Sequence, residues 1–332
     1  MSSEKNILVT GGAGFIGSHL CDDLVKRGDN VICIDNFISG SRSNIEFLLQ
    51  SPNFKFINHD IVEPLDLESL QELNIFNIPT KGIQEIYHLA CPTSYKDYKE
   101  LPLQTILTNS HGTRNLLEIA VTYKAKFFHA STSSIYGEPL KNMKFFKEDY
   151  WGYVNTAGQR SSYNEGKRFA ESLVHNYGVY HGIEYKIARI FQTYGPRMKF
   201  NDARMIPDII RSALAGEDLV LYGESGRITS FLYISDLVEG IFKAMEYEGN
   251  LILNFGHPKV IPVEEAAQLI KELTESHSEI VYREAPQFIL NHGMPDTTKA
   301  KEILGWFPLV DLRIGLAKTI EYMKAQQDLL EM

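Results

Sequence analysis

The chain has 332 residues, 44% of them hydrophobic and 23% charged, enough to bury a sizeable core as one large domain with a smaller lobe. A formal net charge of −9 argues against nucleic acid or an anionic membrane as partner, and no apolar run approaches the ~18 residues of a membrane span. With no signal peptide or low-complexity segment to read, a soluble cytoplasmic protein is expected.

Residues 6–35 form one strand–turn–helix–strand unit. Asn6-Ile7-Leu8-Val9 is a short apolar strand, and Thr10-Gly11-Gly12-Ala13-Gly14-Phe15-Ile16-Gly17 follows it directly. Phe15, Ile16, Leu20, Leu24 and Val25 then recur at helical spacing, and Val31-Ile32-Cys33-Ile34 is a second buried strand ended by Asp35. Gly11, Gly14 and Gly17 supply a tight turn, close approach to a pyrophosphate and close helix–strand packing. The helix N-terminus offers free N–H groups and a positive dipole end to those phosphates. Asp35 would accept hydrogen bonds from adenosine ribose hydroxyls and repel a 2′-phosphate, so NAD is expected over NADP; Arg42 is the counter-signal. Asn58-His59-Asp60-Ile61 closes a third strand, with Asp60 placed for the adenine, and Ile86-Tyr87-His88-Leu89-Ala90 is a fourth. Strands alternating with helical patterns predict a doubly wound parallel sheet of Rossmann type.

Tyr163-Asn164-Glu165-Gly166-Lys167 follows downstream. Its tyrosine and lysine share one helix face. A free tyrosine has a pKa of about 10, too high for a general base at neutral pH. A nearby ammonium favours the phenolate, which suits removal of a hydroxyl proton while hydride leaves the same carbon. Cys21, Cys33 and Cys91 match neither a disulfide framework nor a metal spacing, and no histidine pair is spaced as zinc ligands, so no metal is expected.

Together, Thr10–Gly17, Asp35-Asn36, Asp60-Ile61, Leu89-Ala90, Ser131-Thr132-Ser133 and Tyr163…Lys167 resemble the extended short-chain dehydrogenase/reductases that modify nucleotide sugars. Longer runs are similar to the UDP-glucuronate decarboxylases, or UDP-xylose synthases: His88–Pro92, Tyr150–Asn155, Tyr163–Arg168 and Arg189–Met198. The resemblance spans residue 5 to about 322 and implies a cofactor domain over residues 1–190. It also implies a mainly substrate-binding α/β lobe over 191–322 and a tail at 323–332. The sheet is expected to receive part of 227–240, where Phe231–Ile234 reads as a strand.

The resemblance implies Tyr163 as the base for a sugar 4-hydroxyl, Thr132 bonding the same oxygen, and Lys167 tuning Tyr163 and holding the nicotinamide ribose. It carries cofactor contacts to Phe15, Ile16, Asn36, Ile61, Leu89, Ala90, Thr108, Ser131 and Arg204, and substrate contacts to Ser133, Ser134, Asn115, Gln192, Thr193, Arg197, Tyr222 and Arg227. Asn115 has a second reading, that it satisfies a backbone group, and Tyr222 is either a stacking platform for the base or core. Family members dimerise through the helices near 101–123 and 163–181, so a homodimer is expected.

Five departures bear on the outcome. Ser134 stands where the decarboxylases carry glutamate, and Leu107 where they carry lysine. Gln192 replaces an asparagine, while Thr229 and Gly293 replace arginines where the family grips the diphosphate. Two lost charge-assisted phosphate bonds would cost roughly 1.5–3 kcal/mol each. The reading is an NAD-dependent nucleotide-sugar enzyme working through a 4-keto intermediate, as epimerase, oxidoreductase or decarboxylase. The alternatives are an NAD-dependent alcohol dehydrogenase or epimerase whose substrate lacks a nucleoside diphosphate, and a non-catalytic NAD-binding regulator.

Overall fold

The computed structural model describes residues 4–140, 143–200, 204–284 and 293–331. Its centre is a seven-stranded parallel sheet: β1 (Asn6–Thr10), β2 (Asn30–Asp35), β3 (Phe54–Asn58), β4 (Glu85–His88), β5 (Lys126–Thr132), β6 (Tyr185–Ile190) and β7 (Leu251–Phe255). The spatial order is β3-β2-β1-β4-β5-β6-β7. Strand order reverses between β1 and β4, which opens a crevice beyond their carboxyl ends.

Helices cover both faces, so the strands are continuous apolar runs rather than alternating ones; β1 and β2 are buried throughout. Alternate residues feed opposite sides. Ile7, Val9, Val31 and Cys33 join Leu20 and Leu24 of helix α1 (Phe15–Lys26) and Leu237 and Ile241 of helix Ile234–Glu246 in one core. Leu8, Ile32, Ile34 and Ile86 join Leu116 and Leu117 of helix Thr113–Tyr123 and Val174 of helix α2 (Ser161–His181) in the other.

The strand that returns to the sheet is not drawn from 227–240. Two short strands lie there, Ile228–Thr229 and Leu232–Tyr233, and neither joins the central sheet; Leu232–Tyr233 pairs with Thr193–Tyr194 in a separate ladder. Ile234 opens a helix whose Leu237, Val238, Ile241 and Phe242 are buried, a helical period that ends the strand after two residues. The seventh strand is β7, which pairs from Leu251↔Lys186 to Phe255↔Ile190. Beside the sheet, Leu219–Tyr222 runs parallel to Ile280–Arg283, and Ile228–Thr229 pairs with Ile261–Pro262. Among the described residues no helix is long and apolar enough to cross a membrane.

β4 and β5 bring two fully buried histidines side by side, His88 and His129, with ring centroids 5.3 Å apart. His88 is bonded at both ring nitrogens, to the hydroxyls of Thr10 (2.9 Å) and Thr113 (3.0 Å). Neither nitrogen of His129 meets a partner among the described residues. Burial, and then the Lys167 charge, pushes both imidazoles well below their usual range, so both stay neutral in the fold. The unfolded chain takes up protons on them below a pH of about 6.5, and the folded chain does not. Stability is therefore full above that pH and falls as the pH drops below it, by about 1.4 kcal/mol per pH unit for each histidine. Thermal melts at pH 7.5 and 5 should show the loss. His129→Leu should flatten the slope without lowering stability at pH 7.5, because an unpartnered buried polar group is replaced by an apolar one. Equal slopes in the two proteins would refute the assignment.

Candidate active site

A cavity of about 830 Å³ lies along the crevice, lined by Gly11, Asp35, Leu89, Thr132 and Ile190 at or just past the carboxyl ends of five strands. Gly11 makes the β1 turn with φ 69°, and a Cβ there would sit 2.7 Å from the Ala90 backbone nitrogen. A Cβ at Gly17 would run into the Gly11 carbonyl. The turn thus packs against β4 and α1 as only glycine allows, and leaves the N-terminus of α1 facing the cavity. At the end of β2, Asp35 accepts the Ala13 N–H (3.0 Å) and the Phe37 N–H (2.8 Å). Burial pushes its carboxyl up, against the pull of those two amides. Each carboxylate oxygen keeps a lone-pair site for a further donor, as a ribose diol would require. Cradle and acid fit a dinucleotide.

The opposite wall carries Tyr163 and Lys167. Tyr163 lies in the first turn of α2 and Lys167 one turn later, both buried and both lining the cavity. The Lys167 ammonium is 2.8 Å from the Ala130 carbonyl, which ties α2 to the end of β5. Burial pulls that ammonium down, while Cys91 and Glu171 push it up. Ser131, Thr132, Ser133 and Ser134 pass the cavity next. The Thr132 oxygen accepts the Ser134 N–H at 3.2 Å, so its own proton remains available to donate. The Ser131 hydroxyl is committed to Glu171 at 2.5 Å.

Of the residues assigned from the sequence to catalysis, cofactor or substrate, all but two line this cavity. Arg42 is exposed at the surface, outside the lining, so the counter-signal against NAD carries no weight. Asn115 also lies outside it. Its amide donates to the carbonyls of Ile61 and Val62 at 2.9 Å each, the backbone-satisfying role, and its assignment as a substrate contact is corrected. Arg197 lines the cavity but is held on the α1 side: it pairs with Asp22 at 2.9 Å and lies 4.8 Å over the Phe47 ring. Asp60 is occupied by Gln104 (2.9 Å) and by the Val62 N–H (3.0 Å).

The departures resolve unequally. Leu107 is partly exposed and outside the lining, on the turn before a π-helical stretch (Thr108–Gly112) that carries Thr108 into the cavity. A Cβ at Gly293 would lie 2.5 Å from the Phe146 ring, so no longer side chain fits there as packed. Thr229 is buried and donates to Gln192 Oε1 at 2.6 Å, so two of the altered positions bond each other. Arg160 went unread in the sequence. Three residues before Tyr163, it lines the cavity and its guanidinium donates to the Ser134 hydroxyl at 3.1 Å. Its i, i+3 relation to Tyr163 was the available signal.

A family model, the NAD dependent epimerase/dehydratase family, matches residues 7–256. UDP-glucuronic acid decarboxylase 1 of Danio rerio is 42% identical over 323 residues, which are 97% of this chain and 73% of that protein. UDP-glucuronic acid decarboxylase 4 of Arabidopsis thaliana is 44% identical over 310 residues, 93% of this chain and 66% of that one. Among solved structures, UDP-glucuronic acid 4-epimerase from Bacillus cereus, in complex with UDP-glucuronic acid and NAD, superposes with a TM-score of 0.84. It is 30% identical, over 97% of this chain and 99% of that chain. The glycine cradle, the acid after β2 and the paired Tyr163 and Lys167 thus have a common origin: this chain belongs to the NAD-dependent epimerase/dehydratase family.

Proposed function

We propose that this chain is an NAD-dependent nucleotide-sugar enzyme that removes the proton from a sugar 4-hydroxyl through Tyr163, with an acidic sugar of the UDP-glucuronate type as substrate. The observation that carries it is the single cavity holding the dinucleotide cradle on one wall and Thr132, Tyr163 and Lys167 on the other. Bound NAD would supply the hydride acceptor that turns the carbinol carbon into a ketone. Thr132 donates to the reacting oxygen and aligns it, while Tyr163 receives its proton. Lys167, buried beside them, favours the phenolate. Arg160 faces the substrate-side serines and supplies the positive charge for a sugar carboxylate, a role that position 107 cannot fill. In this reading residues 1–190 serve mainly the cofactor and 191–322 mainly the substrate, with β7 returning to the sheet.

Oxidation at C4 is common to decarboxylation, epimerisation and net dehydrogenation. Ser134 holds no negative charge at neutral pH and cannot serve as the general base that a glutamate would be, which weighs toward an outcome other than that of the decarboxylases. Incubation with carboxyl-labelled UDP-glucuronate and NAD should give a modified sugar nucleotide with little labelled carbon dioxide. Stoichiometric release would place the chain with the decarboxylases, and no product of any kind would sink the substrate assignment.

Thr229 and Gly293, which bring no charge, favour a second reading, a substrate without a nucleoside diphosphate. Thermal shift with UDP separates the two, since a ligand of the folded state raises the melting temperature. We also propose a homodimer. Leu103 and Ile106 on helix Pro102–Leu107 and Phe169 on α2 are exposed apolar side chains on two helices that pack together. Light scattering should read twice the 37.7 kDa chain mass, and a single chain mass would exclude it.

A further inference from the structure

We propose that Glu264 is a positioning residue: it clamps the loop between Tyr222 and Arg227 so that the Arg227 guanidinium stands ready for the substrate's diphosphate. The proposal rests on the nucleotide-sugar reading above. The loop joins the Leu219–Tyr222 strand to Ile228–Thr229, and both Tyr222 and Arg227 line the cavity.

Glu264 lies in the first turn of helix Val263–Thr274. A single carboxylate oxygen, Oε1, accepts three donors: the Tyr282 hydroxyl at 2.6 Å, the Gly226 N–H at 2.8 Å and the Ser225 hydroxyl at 3.0 Å. Ser225 and Gly226 immediately precede Arg227. Tyr282 belongs to the strand paired with Leu219–Tyr222, opposite Leu221. One carboxylate therefore joins the loop, its neighbouring strand and the helix start. The adjacent Val263 N–H donates to the Arg227 carbonyl at 2.8 Å, fixing the arginine's main chain from the same helix start. The Arg227 side chain then folds over Gly223, where a Cβ would come within 2.9 Å of its Cδ, and donates to the Tyr222 carbonyl at 2.5 Å.

The donors also keep the clamp charged. The Tyr282 hydroxyl and the Gly226 amide pull the Glu264 carboxyl down to about 2, so it stays ionised throughout the neutral range. A cation held in place before binding spares the substrate the ordering of a loop, and that saving appears as affinity. The two arginine positions that carry no charge here, 229 and 293, leave Arg227 as the cavity-lining guanidinium on this loop.

Calorimetry with UDP, together with KM and kcat for UDP-glucuronate, tests the idea. Glu264→Ala and Arg227→Ala should each weaken UDP binding and raise KM by roughly tenfold, with kcat within about twofold. The double variant should be no worse than Arg227→Ala alone, because the glutamate acts through the arginine. Tyr282→Phe, which removes one of three donors and leaves the fold intact, should give a smaller shift in the same direction. Additive losses, a fall in kcat with KM unchanged, or unaltered UDP affinity in Glu264→Ala would overturn the positioning role alone. If the unsubstituted protein binds neither UDP nor UDP-glucuronate, the nucleotide-sugar reading falls and takes this proposal with it.

Discussion

Tyr163→Phe should reduce UDP-glucuronate turnover by about 10²–10⁴-fold while leaving NAD affinity within a factor of two. The substitution keeps the ring and removes the oxygen, so the packing at a site buried in the first turn of α2 is preserved. Ser134, Arg160 and Lys167, which also line the cavity, do not match a phenol as proton acceptor. Ser134 is neutral, Arg160 carries no acceptor, and the Lys167 ammonium already bonds the Ala130 carbonyl. Lys167→Met should cost comparable activity and also stability. It leaves that buried carbonyl without its donor, a loss of about 1–3 kcal/mol. Steady-state rates beside thermal melts separate the two effects. A Tyr163→Phe enzyme that turns over at the parental rate would mean that another group takes the proton.

How far the site could be read in advance followed from the range of the interactions that build it. The β1 turn was legible because glycine spacing, an apolar strand before it and Asp35 after β2 all lie within residues 6–35. Tyr163 and Lys167 were legible because a helix turn is a local ruler. Asn115 was misplaced because an asparagine early in an apolar helix has the same local pattern whether it faces a ligand or the Ile61 and Val62 carbonyls. The decision is made by a loop some fifty residues earlier. The pairing of Arg197 with Asp22 was invisible for the same reason, since the partners lie 175 residues apart. The returning strand was placed at 227–240 because the family resemblance implies a return there and Phe231–Ile234 is an apolar run, yet the helical spacing of Leu237 and Ile241 pulled Ile234 into a helix. Glu264 gave no signal at all: a glutamate at a helix start is ordinary, and its three donors come from two separate segments.

The charged network beneath β5 was equally invisible, and breaking it should produce the largest loss of stability. Glu171 on α2 and Arg189 on β6 pair at 2.9 Å, with both side chains about 11% exposed. Burial pulls the guanidinium down, but the Glu171 bonds and charge raise it further, so Arg189 stays charged. The Arg189 guanidinium also donates to the Tyr136 hydroxyl (2.9 Å) and the Glu148 carbonyl (2.7 Å). Tyr136 in turn donates to Asn254 Oδ1 on β7 at 2.7 Å. Glu171 also accepts the Ser131 hydroxyl, one residue before Thr132, so the network sets the end of the strand that carries Thr132. Glu171→Gln or Arg189→Met leaves the other charge buried without its partner, at a cost of about 3–5 kcal/mol. The double variant Glu171→Leu/Arg189→Met should recover most of that loss, because an apolar pair of similar volume can replace a buried ion pair. Activity should not return with it: Ser131 still lacks an acceptor, and the strand end that carries Thr132 is left unbraced. Chemical denaturation of the three variants, with rates measured well below their melting temperatures, distinguishes the two roles. A double variant restored in both stability and turnover would show that the network holds the fold together without aligning the site.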